Sequence, residues 1–197
     1  MGCRNLWRFF ANKKHKPAIR YIRHQHAALT PTTGRIRIDV QGSIFATIRH
    51  AYTHCSSPVA AHRLVHKRIK QLGAREVSIL YFDGNPAKEK ENTHQQREKV
   101  RQDALRKADE LIDEFSRRVN AGLRIRKQAF IAINKNLSKG FKWKDSDKNA
   151  LIEYLKQENW DVVLSSTEAD IQIAADFQEG DIVVSADSDF AIHPSIS

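Results

Sequence analysis

A chain of 197 residues with 41% apolar content has enough material for one α/β domain with a buried core, and no run in it approaches the apolar length of a membrane span. Its net charge of +10 and pI of about 9.8 argue for a polyanionic partner. Cys3 and Cys55 alone exclude a disulfide framework. The basic N-terminus lacks the apolar core of a secretory signal and, at position 6, the Ser or Thr of a myristoylation signal, so a nuclear or cytosolic setting is expected.

In chain order, Leu6, Trp7 and Phe10 are spaced to share a helix face. A basic segment runs to His26, and nine Lys or Arg precede the first acid, Asp39. Thr30-Pro31-Thr32-Thr33-Gly34 reads as a loop, and Ile36 to Val40 as a first strand with Asp39 at its carboxyl end. Ser43 to Tyr52 and Ala60 to Leu72 follow as covering helices, the second with Leu64, Val65, Ile69 and Leu72 at helical spacing and Gly73 as its stop. Val77 to Phe82 is a nearly continuous apolar strand, and Asp83-Gly84-Asn85-Pro86 follows it at once.

Residues 87 to 144 carry 16 Lys or Arg against eight Asp or Glu. This predicts two charged helices, broken near Asn120-Ala121-Gly122, that either project as an arch or lie as a solvated pair. Asp145 to Gln157 is amphipathic, with Leu151, Ile152 and Leu155 inward, and Trp160 to Leu164 is a further strand. Residues 167 to 190 then read as a short helix, a Gly turn and a buried strand, Ile182-Val183-Val184, leading to Asp187 and Asp189. Glu168 and Asp170 fall in the first turn of that helix, where Ser165, Ser166 or Thr167 can cap it and the dipole favours negative charge. The alternation predicts an α/β fold: a doubly wound, mostly parallel sheet flanked by helices, in one domain spanning 1–197.

Six acids, Asp39, Asp83, Glu168, Asp170, Asp187 and Asp189, all fall just beyond predicted strands. That is the carboxyl edge of the sheet, where open α/β folds place ligand sites. Such a cluster repels itself unless a cation, Mg²⁺ or Mn²⁺, holds it together. Two hard cations roughly 4 Å apart would activate a water and stabilise both oxygens of an in-line phosphodiester displacement. The charge distribution agrees: residues 151 to 197 carry ten acids and one Lys, Lys156, so basic surface elsewhere holds the phosphates while carboxylates hold the metals.

The order of these motifs resembles the flap endonuclease and XPG family of structure-specific 5′ nucleases. Met1-Gly2-Cys3-Arg4-Asn5-Leu6-Trp7 is similar to the family's opening Met-Gly-Ile-x-Gly-Leu-Trp, and Ile38-Asp39 with Ser43-Ile44-Phe45 to its first acidic strand and helix. Phe82-Asp83-Gly84-Asn85-Pro86 resembles Phe-Asp-Gly-x-Pro, Ser166-Thr167-Glu168-Ala169-Asp170 resembles Ser-Glu-Ala-Glu, and Ala186-Asp187-Ser188-Asp189 resembles the acidic Asp-Ser-Asp ending. The resemblance implies a PIN-like fold with residues 87–144 as a helical arch, and two divalent metals on the six acids. It implies catalytic roles for Lys90 and Arg97, seven and fourteen residues beyond Asp83, where their cations would stabilise charge on the scissile phosphate. Gly2, once Met1 is removed, would place the new amine near the substrate, and Lys99 and Arg101 are further candidate nucleic-acid contacts. The implied activity is two-metal cleavage of flapped or 5′-ended DNA by a nuclear protein acting as a monomer in DNA repair.

Departures from the pattern are Asn5 in place of Gly, and Val40-Gln41-Gly42 in place of a small Ala-Ser segment. The family's C-terminal helix-two-turn-helix element is expected to be absent. The alternative to catalysis is a non-catalytic PIN-like scaffold binding nucleic acid or protein, or an inactive fragment of a nuclease. A zinc site from His50, His54, Cys55, His62 and His66 is disfavoured for want of paired Cys spacing. Phe141 and Trp143, among Lys139, Lys142 and Lys144, are either base-stacking residues or core anchors at a helix junction.

Overall fold

The computed structural model describes residues 31, 33–84, 91–187 and 190. Four strands, β1 (Ile36–Asp39), β2 (Ser78–Phe82), β3 (Asp161–Leu164) and β4 (Ile182–Val184), pair in the order β3-β2-β1-β4, every pair parallel. Parallel pairing demands crossovers, and the chain supplies helices for them. From β1 to β2 run α1 (Val40–His54) and α2 (Pro58–Lys70). From β2 to β3 run α3 (Glu91–Asn120), α4 (Lys127–Gly140) and α5 (Asp145–Gln157), and α6 (Ala169–Asp176) leads back to β4. The sheet order reverses at β1, where β4 joins the side opposite β2, and such reversals open a crevice at the strands' carboxyl ends.

The two faces of the sheet differ. On one, Ile36, Ile38, Leu80 and Phe82 meet Ile48 from α1, Val65 and Ile69 from α2, and Leu151 and Leu155 from α5. All nine are fully buried, and each contributes roughly 1.5–3 kcal/mol relative to exposure. The other face is thin: Ile79 and Tyr81 pack with Ala169 and Ile173 of α6 and with Phe190. Into it β1 turns Arg37, only 5% exposed.

The elements begin and end for local reasons. Ser57 caps α2 by accepting the Ala60 N–H, with Pro58 at the first helical position. The first strand is shorter than the sequence predicts: Val40 already belongs to α1, because Asp39 turns the chain by accepting the Gly42 N–H at 2.7 Å. The predicted charged pair is present as α3 and α4, antiparallel, with the break at 121–126. Phe115 and Phe130 meet edge to face across it at 4.8 Å, and Ala104 and Ala108 are its buried residues on α3. Trp143 resolves as a core anchor packed on Tyr52 and Phe82, while Phe141 rests against Phe45. No helix among the described residues is long and apolar enough to cross a membrane. The predicted helix around Leu6, Trp7 and Phe10 lies outside the described residues.

Gly34, just before β1, has φ +79°, and an added Cβ would come within 2.6 Å of the Gly180 carbonyl. Ala there meets both a left-handed penalty of roughly 1–2 kcal/mol and a backbone clash. Gly34→Ala is therefore expected to lower urea-unfolding stability by more than that penalty alone, and a loss below about 1 kcal/mol would contradict the close β1–β4 approach.

Candidate functional site

Of the predicted acids, Asp39 and Asp83 stand at the carboxyl edge itself. Asp39 ends β1, is 6% exposed, and takes a second hydrogen bond from the Ser185 hydroxyl at 2.8 Å. Ser185 follows β4 and also accepts the Asp187 N–H at 3.0 Å, so one hydroxyl ties Asp39 to the Asp187 backbone. Asp83 follows β2. Its Oδ1 accepts the Ala169 N–H at 2.8 Å, making Asp83, from 86 residues away in sequence, the side-chain partner of an N–H at the start of α6. This corrects the expectation that a neighbouring Ser or Thr caps α6. Glu168 occupies the cap position without a side-chain cap bond.

Burial and mutual repulsion govern the charge state. Burial pushes the Asp39 carboxyl up to about 6; the Gly42 N–H and Ser185 hydroxyl pull it back, and the Asp83 and Asp170 carboxylates push it further up. Asp83 is likewise raised, first by burial, against the Ala169 N–H, then by Glu168 and Asp170, with Lys148 opposing. Asp39 thus lies within electrostatic reach of Asp83 and Asp170, and Asp83 within reach of Glu168 and Asp170.

Three supporting residues escape sequence reasoning. Gln41 on α1 accepts the Asp83 N–H at 3.0 Å, Lys148 on α5 donates to the Asp83 carbonyl at 3.0 Å, and Ser185 makes the bridge above. Ser185 stands two residues before Asp187 and offers a weak local signal; Gln41 and Lys148 offer none, since their partner is distant in sequence. Close approach explains Gly84, whose added Cβ would strike the Ser165 carbonyl.

The cationic candidates divide. Arg97 and Lys99 are exposed on α3, whereas Arg101 is held by Glu98 at 2.9 Å, which also meets Lys142 at 3.6 Å. Arg97 and Arg101, four residues apart, share a helix face; Lys99 lies on another side. Lys90, Asp189 and Gly2 lie outside the described residues. The weighed histidine set is split: His50 and His54 stack on α1 at 4.5 Å, while His66 is buried on α2 and accepts the Trp160 indole N–H at 2.9 Å.

Carboxylate oxygens are the donor type that hard divalent cations take. The Ser165 hydroxyl, buried after β3, finds no hydrogen-bond partner among the described residues. No three His, Cys, Asp or Glu among the described residues stand close enough to share one ion. No family model matches the chain, and no curated protein matches it.

A raised carboxyl reverses the usual sign of acid linkage. Between the ordinary value of 3.8 and about 6, the folded state holds a proton that the unfolded state has released, so stability falls as pH rises through this window. Asp39→Asn keeps the cap oxygen without the charge. In chelator at pH 7.5 it is expected to be more stable than the parent by on the order of 2 kcal/mol, with a flatter stability profile between pH 4 and 6, read by urea unfolding across pH. Equal stability of the two chains at pH 7.5 would contradict the burial cost assigned to Asp39.

Proposed function

We propose that the chain is a Mg²⁺- or Mn²⁺-dependent nuclease of the flap endonuclease and XPG type, with a PIN-like fold, hydrolysing flapped or 5′-ended DNA. The observation that carries this reading is the electrostatically coupled set Asp39, Asp83, Glu168 and Asp170 at the carboxyl edge of a parallel sheet. With Asp187, joined through Ser185, and Asp189 beyond the described residues, these would hold two ions. Bound there, hard divalent ions would supply an activated water and charge stabilisation at the phosphodiester oxygens.

The chain's own residues do the rest. Asp39 and Asp83 are oriented by the Gly42 and Ala169 N–H groups, so they present oxygens without having to be ordered on binding. Arg97, exposed on α3, and Lys90 neutralise charge on the phosphate, Arg by a planar fork and Lys as a point charge. Lys99, Arg101 and Gly2 contact the strand, and the protein acts in the nucleus as a monomer. The second reading is a non-catalytic PIN-like scaffold, which the run of nine Lys or Arg without an acid over residues 115 to 144 supports as a nucleic-acid-binding surface.

Incubating the chain with a 5′-flap duplex and with a single-stranded oligonucleotide, in Mg²⁺ and in chelator, separates the readings. Cleavage in Mg²⁺ alone is expected, and Asp39→Ala or Asp187→Ala should abolish it while the fold persists by circular dichroism. Arg97→Ala should lower kcat about 10²-fold with little change in KM. Undiminished cleavage by either Asp variant overturns the nuclease assignment, and binding of flap DNA without cleavage in Mg²⁺ supports the scaffold.

A further inference from the structure

Beneath the carboxylates, on the thin face of the sheet, lies a buried polar network that the proposed chemistry does not use. Arg37 Nε donates to Asp181 Oδ2 at 2.6 Å, in an ion pair whose side chains are 6% and 2% exposed. Its Nη1 donates to the Tyr81 hydroxyl, and that hydroxyl donates to Asp176 Oδ2 at 3.0 Å. Asp176 also accepts from Gln172 at 3.0 Å. Asp181 takes two more hydrogen bonds, from the Arg35 N–H at 2.7 Å and the Gln178 N–H at 2.9 Å.

The membership of this network is its main feature. Arg37 precedes Asp39 by two residues on β1, so it lies roughly 6–7 Å down the strand from that carboxylate on the same side of the pleat, and Tyr81 on β2 stands two residues before Asp83, which follows the strand. Asp176 ends α6, the helix that opens with Glu168 and Asp170, and Asp181 immediately precedes β4, which leads to Ser185 and Asp187. The network therefore joins the four elements that carry the site, the guanidinium reaching α6 through the Tyr81 hydroxyl. A buried ion pair is weak support for stability, because desolvation offsets most of its attraction and apolar replacements often do as well. What it does supply is angular and translational definition, since a planar fork accepts its partners in few geometries.

We infer that Arg37, with Tyr81, Asp176 and Asp181, is a positioning network that sets the mutual spacing of the candidate carboxylates and thereby the affinity of the edge for divalent cations. The inference rests on the metal-dependent reading above. It assigns Arg37 and Tyr81 no contact with ion or substrate; they act through Asp39 and Asp83, as outer partners do at metal sites, where their loss commonly costs 10–100-fold in affinity.

Mn²⁺ titration of the full chain, by calorimetry and by electron paramagnetic resonance of the free ion, provides the test. Tyr81→Phe, which removes a single hydroxyl, and Arg37→Lys, which keeps the charge but loses the fork, should each weaken Mn²⁺ binding about tenfold. Trp160→Phe is the control: it deletes the bond to His66, at the start of β3 rather than at the carboxyl edge, and should lower thermal stability with Mn²⁺ affinity unchanged. Parental affinity in both Tyr81→Phe and Arg37→Lys overturns the positioning role and leaves the metal reading standing. Equal weakening by Trp160→Phe also overturns it, because the effect is then general loosening. A parent chain that binds no Mn²⁺ removes the metal reading and the inference with it. Should Arg37→Lys not fold, Tyr81→Phe alone decides.

Discussion

The structure depends on holding like charges together in a place with little water. Asp39 is nearly buried, with Asp83 and Asp170 within its field, and in a low-dielectric setting such neighbours cannot all ionise without cost. Folding tolerates this because the backbone provides partial positive charge where it is needed. Asp39 faces the N–H groups at the start of α1, and Asp83 faces those at the start of α6. Each helix N-terminus directs otherwise unpaired donors, and the positive end of its dipole, at a carboxylate. These offsets are partial, as the upward displacement of both acids shows. The remaining cost favours any process that brings a compensating cation.

The asymmetry of the sheet follows from the same requirement. One face is a conventional apolar layer beneath α1, α2 and α5, and it supplies most of the burial that makes the fold stable. The other carries a short helix and a buried guanidinium held by the Asp181 carboxylate and the Tyr81 hydroxyl, which in turn reaches Asp176. An apolar thin face would still exclude water, but side chains that slide over one another define spacing less sharply than a fully satisfied polar network does. Stability and definition are thus assigned to opposite sides of a four-stranded sheet.

Much of the scaffold was legible in the sequence because it is local. The helix Asp145–Gln157 announces itself by the spacing of Leu151, Ile152 and Leu155, and the apolar runs before Asp83 and Asp187 read directly as strands, the first fully buried and the second buried only at Val184. The alternation of strands and helices yields the parallel sheet, which the structure bears out. What was not legible is relational. Ser165, Ser166 and Thr167 are plausible caps by propensity, yet an acid 86 residues away reaches the helix start instead, because the loops after β2 and β3 run together: the Gly84 N–H meets the Thr167 carbonyl at 2.6 Å. Arg37 looks like an exposed strand residue until β4 is placed beside β1. The engagement of Arg101 by Glu98 was readable, since the two stand three apart on a helix.

The segregation of charge has a physical rationale within the proposed reading. Residues 115 to 144 contain nine Lys or Arg and no acid, and they form the end of α3, the turn, α4 and the junction to α5. Had those cations been placed at the carboxyl edge, ordinary ion pairs would occupy the oxygens and remove the repulsion that makes the edge receptive to a divalent ion. Lys148 shows the distinction at atomic scale: it reaches the edge, but its ammonium donates to the Asp83 carbonyl while the Asp83 carboxylate takes the Ala169 N–H. The hairpin meets the body through its base, where Phe141 packs on Phe45 and Lys142 pairs with Glu98. Its cations are thereby kept on a separate element from the acids of the carboxyl edge. Within the proposed reading, a polyanion would meet the hairpin's cations with its phosphates while the carboxylates would hold the divalent ions.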